Sequence, residues 1–131
     1  YPKDHEVRYL GGQTLGVSSA AAYGGNAALA DPEQMLLSAL SSCHMLTFLA
    51  VAANRGYVVD AYLDDAECEL GKNAEGVTAV VSATLRPSVR FSGDKQPSAE
   101  DYDKLHERAH KGCFVGQSLK TEVRIESRLA D

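Results

Sequence analysis

The chain has 131 residues, of which 44% are hydrophobic and 24% charged, and it carries a formal net charge of −5. This composition fits a single globular domain, residues 1–131, large enough to bury a core. It argues against a disordered chain and against the basic footprint of a nucleic-acid binder.

Residues 5–10 read as a strand, with Val7 and Tyr9 alternating against Arg8. Gly11 and Gly12 mark a turn, and 14–19 read as the return strand of a hairpin. The small, Gly-rich stretch 20–30 reads as a loop. The next element has the clearest start: Asp31 suits an N-cap, Pro32 the first helical position, and Gln34 completes a D-x-x-Q capping pattern. Nothing interrupts a helix over 32–55, and Gly56 is a natural stop.

This helix is apolar on nearly every face, through Met35, Leu36, Leu37, Leu40, Met45, Leu46, Phe48, Leu49 and Val51. Such a helix is normally buried all round. One domain of this size cannot surround it, so a partner chain is expected to cover part of it. Ser38, Ser41, Ser42, His44 and Thr47 interrupt the apolar run, so a membrane span is not expected. No signal-peptide pattern is present.

Residues 57–70 read as one long strand, followed by a turn over 71–76 and a second long strand over 77–91. Pro87 should confine that second strand to an edge or a bulge. Ser98 caps a second helix, with Leu105 and Ala109 facing inward, and Gly112 breaks it. A short turn or helix follows over 113–119, and 121–129 closes as a strand. The order β-β-α-β-β-α-β, with hairpin-like connections and helices over one face, is α+β.

Three cysteines are an odd, sparse set, which fits functional thiols in a reducing cytoplasm better than a secreted disulfide framework. Cys43 sits mid-helix among Ser41, Ser42 and His44. It reads equally as a buried packing residue or as a thiol in a polar niche. Cys113 follows His110, Lys111 and Gly112, where nearby cations would lower its pKa; a partly buried turn cysteine is the plainer reading. Cys68, between Glu67 and Glu69, reads as packing. Glu33 is a favourable first-turn carboxylate, ten residues and about 15 Å of helical rise before Cys43. His106, His110 and Cys113 have zinc-like spacing, but Gly112 argues against one continuous face and no fourth ligand follows. No phosphate or dinucleotide motif is present, so no cofactor and no metal are expected.

Two segments resemble the OsmC/Ohr family of peroxide-reducing proteins. They are DPEQMLLSALSSCHMLTFLAVAANRG at 31–56 and AHKGCFVGQSLKTEV at 109–123. The resemblance covers the chain from about residue 31 onward. It implies the OsmC-like fold and an intertwined homodimer with central cysteine-bearing helices. It also implies a thiol-dependent peroxidase in which Cys43 attacks the peroxide and Cys113 resolves the product as a disulfide. Glu33 would position an activating arginine, and a lipoyl or thioredoxin-type dithiol would complete the cycle.

The chain departs from the family at that arginine. Gly11-Gly12 is followed by Gln13, the loop before the helix has no arginine, and Arg8 is the only one before Glu33. Either Arg8 or a later arginine substitutes, or the activating cation is missing and Cys43 is less acidic, with His44 compensating in part. The competing expectation is a non-enzymatic stress protein that binds a hydrophobic small molecule at the dimer interface.

Overall fold

The computed structural model describes Tyr1–Asp131, which divides into two compact units, Tyr1–Ser38 and Ala39–Asp131. In the first unit, β1 (His5–Arg8) and β2 (Thr14–Val17) pair antiparallel. Gly12 turns the chain between them at φ 90°, a conformation that costs glycine little. A short 3₁₀ turn spans Ala21–Tyr23, and Val17 bridges to Ala30. Helix α1 (Pro32–Asn54) begins here, its cap as expected: Gln34 N–H donates to Asp31 Oδ1 at 2.9 Å.

The second unit opens on the remainder of α1. This helix ends at Gly56, whose φ is 81°, with the Tyr57 N–H reaching back to the Ala52 carbonyl. Six strands follow: β3 (Val58–Asp64), β4 (Glu67–Lys72), β5 (Thr78–Leu85), β6 (Pro87–Ser92), β7 (Glu122–Ile125) and β8 (Arg128–Leu129). Between β6 and β7 lie α2 (Ala99–Gly112) and α3 (Phe114–Ser118). Ser98 caps α2 by accepting from the Asp101 N–H.

Each of the strands expected from the sequence over 57–70, 77–91 and 121–129 is broken once. The halves form two three-stranded sheets, β3-β6-β8 and β4-β5-β7. The breaks meet at Arg86. Its backbone N–H donates to Asp64 Oδ1 at 2.6 Å, and its guanidinium reaches Glu67 at 2.7 Å and Glu126 at 3.3 Å. One arginine thus ties together the bends of all three strands. Pro87 follows immediately, fully buried, and opens the central strand of its sheet rather than an edge. The first residue of a strand needs no ladder N–H, which removes the objection to proline there.

The core of this unit lies between β6, α1 and α2. Phe48 and Ala52 of α1 meet Val89, Phe91, Tyr102, Leu105 and Ala109. Phe48 contacts the rings of Tyr62, Phe91, Tyr102 and His106. Within the chain α1 is not buried all round. Only Leu40, His44, Phe48 and Ala52, at strict four-residue spacing, are buried, while Leu46 is 63% exposed. The serines and His44 also do not lower its apolarity as far as expected. By length and a mean hydropathy of 1.7 the helix is long and apolar enough to cross a membrane.

Candidate functional site

Cys43 faces away from the buried stripe of α1, one residue before His44. Around it lies an apolar groove of about 560 Å³, lined by Ala39, Ser42, Leu46, Thr47 and Ala50 of α1, with Gly112 and Phe114 opposite. The α1 residues recur at helical spacing and form one face. Cys43 is half-buried in this groove, and Cys113 beneath it is buried, with 1% exposure.

The break between α2 and α3 places Cys113. Gly112 is the last residue of α2, and Cys113 then caps α3, its Sγ accepting from the Gly116 N–H at 3.3 Å. The first N–H groups of a helix have no partner within it. Here Phe114 opens α3 directly after Cys113 and lines the same groove as Cys43. Seventy residues separate the two cysteines in sequence (113 − 43), and the fold brings them into hydrogen-bonding reach, unbridged.

The two thiols differ in acidity. Burial pushes Cys43 up. The Val115 N–H, the Cys113 thiol, the Phe114 N–H and the Thr47 hydroxyl together outweigh it and hold Cys43 below the ordinary thiol value. Cys113 is pushed up, first by burial and then by its neighbour Cys43, against the N–H groups of Gly116 and Val115. The neighbours His110 and Lys111 therefore do not make Cys113 acidic as the sequence suggested. Burial and an adjacent sulfur decide its state.

His44 does not supply a cation either. It is buried, and its Nε2 lies 2.9 Å from Nδ1 of His106, with the rings nearly coplanar. Burial, with His110 nearby, lowers its pKa to about 4 despite Asp64. His106 falls to about 3, from burial and from His44. Both imidazoles are neutral at pH 7. With His106 turned to His44 and Cys113 to Cys43, the zinc-like trio is not assembled, and no three His, Cys, Asp or Glu side chains gather to hold a metal.

Glu33 lies in the first turn of α1, in the Tyr1–Ser38 unit, and Arg8 ends β1 there. Cys68 is half-buried on β4, opposite Ala83 of β5. Residue patterning missed two participants, Thr47 and the α3 backbone, while it singles out Gly112 as the break before Cys113. Thr47 was within reach of sequence reasoning, since it stands four residues after Cys43 on the same helical face. The Phe114 and Val115 N–H groups were not, because they carry no side-chain signal.

Residues 24–128 match the family described as OsmC-like protein, and the chain belongs to the OsmC/Ohr family. It is similar to an OsmC-like protein of unknown function from Vibrio cholerae, with 40% identity and a TM-score of 0.94, over 97% of this chain and 85% of that one. An organic hydroperoxide resistance protein from Elizabethkingia anophelis shares the fold at 17% identity and a TM-score of 0.72, over 98% of this chain and 89% of that one. The corresponding protein of Bacillus subtilis does so at 18% identity and a TM-score of 0.66, over 99% and 98%. Among curated proteins no sequence matches this chain significantly.

Proposed function

We propose that this protein is a thiol-dependent peroxidase that reduces organic hydroperoxides, using Cys43 as the attacking thiolate and Cys113 as the resolving thiol. The observation that carries this reading is the unequal pair. One half-buried sulfur, with its pKa lowered by neighbouring N–H, thiol and hydroxyl groups, stands next to a buried sulfur whose pKa is raised. The names of the E. anophelis and B. subtilis relatives support the hydroperoxide class. The apolar groove favours an alkyl or aryl group over hydrogen peroxide alone.

The chemistry follows from those protonation states. Cys43 thiolate attacks one peroxide oxygen and the O–O bond breaks. The alcohol leaves with a proton, and Cys43 becomes a sulfenic acid. Cys113 displaces hydroxide from that sulfur, which leaves as water, and the two residues form a disulfide. A dithiol of the lipoyl or thioredoxin type reduces it and is itself oxidised. We further infer a homodimer, in which a second copy covers the outer face of α1 at Leu46, which is 63% exposed, and the neighbouring Phe114 of α3, which is 84% exposed. A cytoplasmic setting would keep the resting thiols reduced. Glu33 is assigned a supporting role through an arginine, as the family resemblance implies.

Steady-state turnover with hydrogen peroxide, an aromatic hydroperoxide and a fatty-acid hydroperoxide, each with both dithiol types, tests this. Organic hydroperoxides should turn over fastest, and Cys43→Ser should abolish consumption. If Cys43→Ser consumes peroxide like the native protein, the assignment is wrong. The second reading, a non-enzymatic binder of hydrophobic molecules, draws on the same groove and on the missing arginine. It requires no turnover under any condition, together with a ligand-dependent rise in Tm.

A further inference from the structure

The family's arginine is missing from the loop before α1, and none of the interactions that hold charge on Cys43 involves a lysine, arginine or histidine. We propose that Thr47 is a thiolate-stabilising residue for Cys43, its hydroxyl taking part of the role that a cation would otherwise fill. This rests on Cys43 being the attacking thiolate.

The geometry is local to one helical turn. Thr47 stands at i+4 from Cys43, and its Oγ1 donates to the Cys43 carbonyl at 2.8 Å. Cys43 and Thr47 line the same groove, so the hydroxyl and the sulfur stand on one face of the helix. The hydroxyl has one proton for two acceptors on the same residue. When Cys43 is a neutral thiol, the carbonyl is the better acceptor. When Cys43 is a thiolate, the charged sulfur competes, because a bond to an ionised acceptor is roughly twice as strong as a neutral one. Exchange between the two needs only rotation of the O–H, with no heavy atom moving. A donor poised in this way stabilises developing charge without reorganisation.

Two features hold the hydroxyl in place. Threonine is branched at Cβ, which restricts χ1 in a helix. Its methyl faces Gly112, where an added Cβ would stand only 3.1 Å from Thr47 Cγ2. The bare Gly112 thus admits the methyl and leaves the oxygen turned toward Cys43. Gly112 also precedes Cys113, so one close contact seats both the hydroxyl and the second thiol.

Within the chain, one titratable side chain faces Cys43. Cys113 is the one facing Cys43 from the α2–α3 junction. The remaining groove residues, Ala39, Ser42, Leu46, Ala50, Gly112 and Phe114, do not titrate. His44 lies on the buried stripe, paired with His106.

The experiment compares native protein, Thr47→Val and Thr47→Ser, all full-length and reduced. The rate of iodoacetamide alkylation is followed against pH at the Cys43 peptide by mass spectrometry, which separates it from Cys68 and Cys113. Valine keeps the shape and removes the hydroxyl. It should raise the midpoint and slow alkylation roughly three- to tenfold below it, from the loss of one charge-assisted hydrogen bond. Serine keeps the hydroxyl and should retain the native midpoint. If valine leaves the midpoint unchanged, or if serine shifts it as far as valine does, the proposal fails. Far-ultraviolet circular dichroism and Tm confirm that each variant is folded. Should valine unfold the protein, Thr47→Ala takes its place as the variant without a hydroxyl, and an unchanged midpoint there overturns the proposal. Alkylation does not depend on peroxide turnover. A valine shift without any turnover would overturn the peroxidase reading and leave Thr47's role standing. Turnover without a shift would do the reverse.

Discussion

Nε2 of His44 and Nδ1 of His106 lie 2.9 Å apart in the core, two neutral imidazoles joined by one hydrogen bond and flanked by Phe48 and Tyr102. The outer nitrogens, Nδ1 of His44 and Nε2 of His106, have no partner. A proton added to either ring would be buried among aromatic side chains and beside the other imidazole.

Stability should therefore depend on pH. Both folded pKa values, about 4 and about 3, lie below the ordinary histidine value of 6.5. The unfolded chain thus binds more protons than the folded one between those limits, and stability falls as pH drops through 6.5 toward 4. Above 6.5 both states hold neutral imidazoles and the contribution is fully present. Its size is on the order of 3 kcal/mol for the pair's first proton, at about 1.4 kcal/mol per pKa unit. Urea unfolding at pH 7, 6 and 5 checks it. A His44→Gln, His106→Gln double variant should show a flatter profile than the native protein over this range.

Phe48 is the centre of the aromatic cluster and has 0% exposure. Phe48→Ala would empty a site bounded by Tyr62, Phe91, Tyr102 and His106. It should cost about 3–5 kcal/mol, the usual range for a buried phenylalanine. Denaturant titration measures it. A loss below about 1 kcal/mol would mean that the cluster is not a packed core.

Gly25 is required for a different reason. An added Cβ would lie 1.6 Å from the Ser19 carbonyl oxygen, a backbone atom that no rotamer change can move. Gly25→Ala should therefore destabilise the N-terminal loop by roughly 3 kcal/mol or more, as forced overpacking does. Amide exchange across residues 18–30 should rise, while that of α2 should change less.

The apolar groove and exposed Leu46 make the dimer testable. Leu46→Glu puts a charge on the outer face of α1, away from the buried stripe of Leu40, His44, Phe48 and Ala52. Light scattering should show the native protein at twice the chain mass and the variant shifted toward the monomer. A native monomer would contradict the proposed second copy.

Local patterning carried much of this architecture. The cap at Asp31, the stop at Gly56 and the Ser98 cap appear as read, because each is a hydrogen bond or a backbone conformation set by neighbouring residues. The three strand breaks at Arg86 were not legible. They depend on Asp64, Glu67 and Glu126 converging from separate strands, which no local period encodes. The site divides in the same way. Cys43 and Cys113 stood out, yet their contrast in acidity comes from the depth of one sulfur and from backbone N–H groups of α3. His44 stands one position on from Cys43 and so about 100° around the helix, which the sequence shows, but its buried pairing with His106, 62 residues away, was not legible.

The central claim is that Cys43 and Cys113 are one redox pair. The most direct measurement is mass spectrometry of the native protein, digested without reduction after one equivalent of an alkyl hydroperoxide. A peptide linking Cys43 to Cys113, two mass units lighter than its reduced halves and absent from Cys43→Ser, is the expected result. Recovery of both cysteines as free thiols, or oxidation of Cys43 with Cys113 left unlinked, would contradict it.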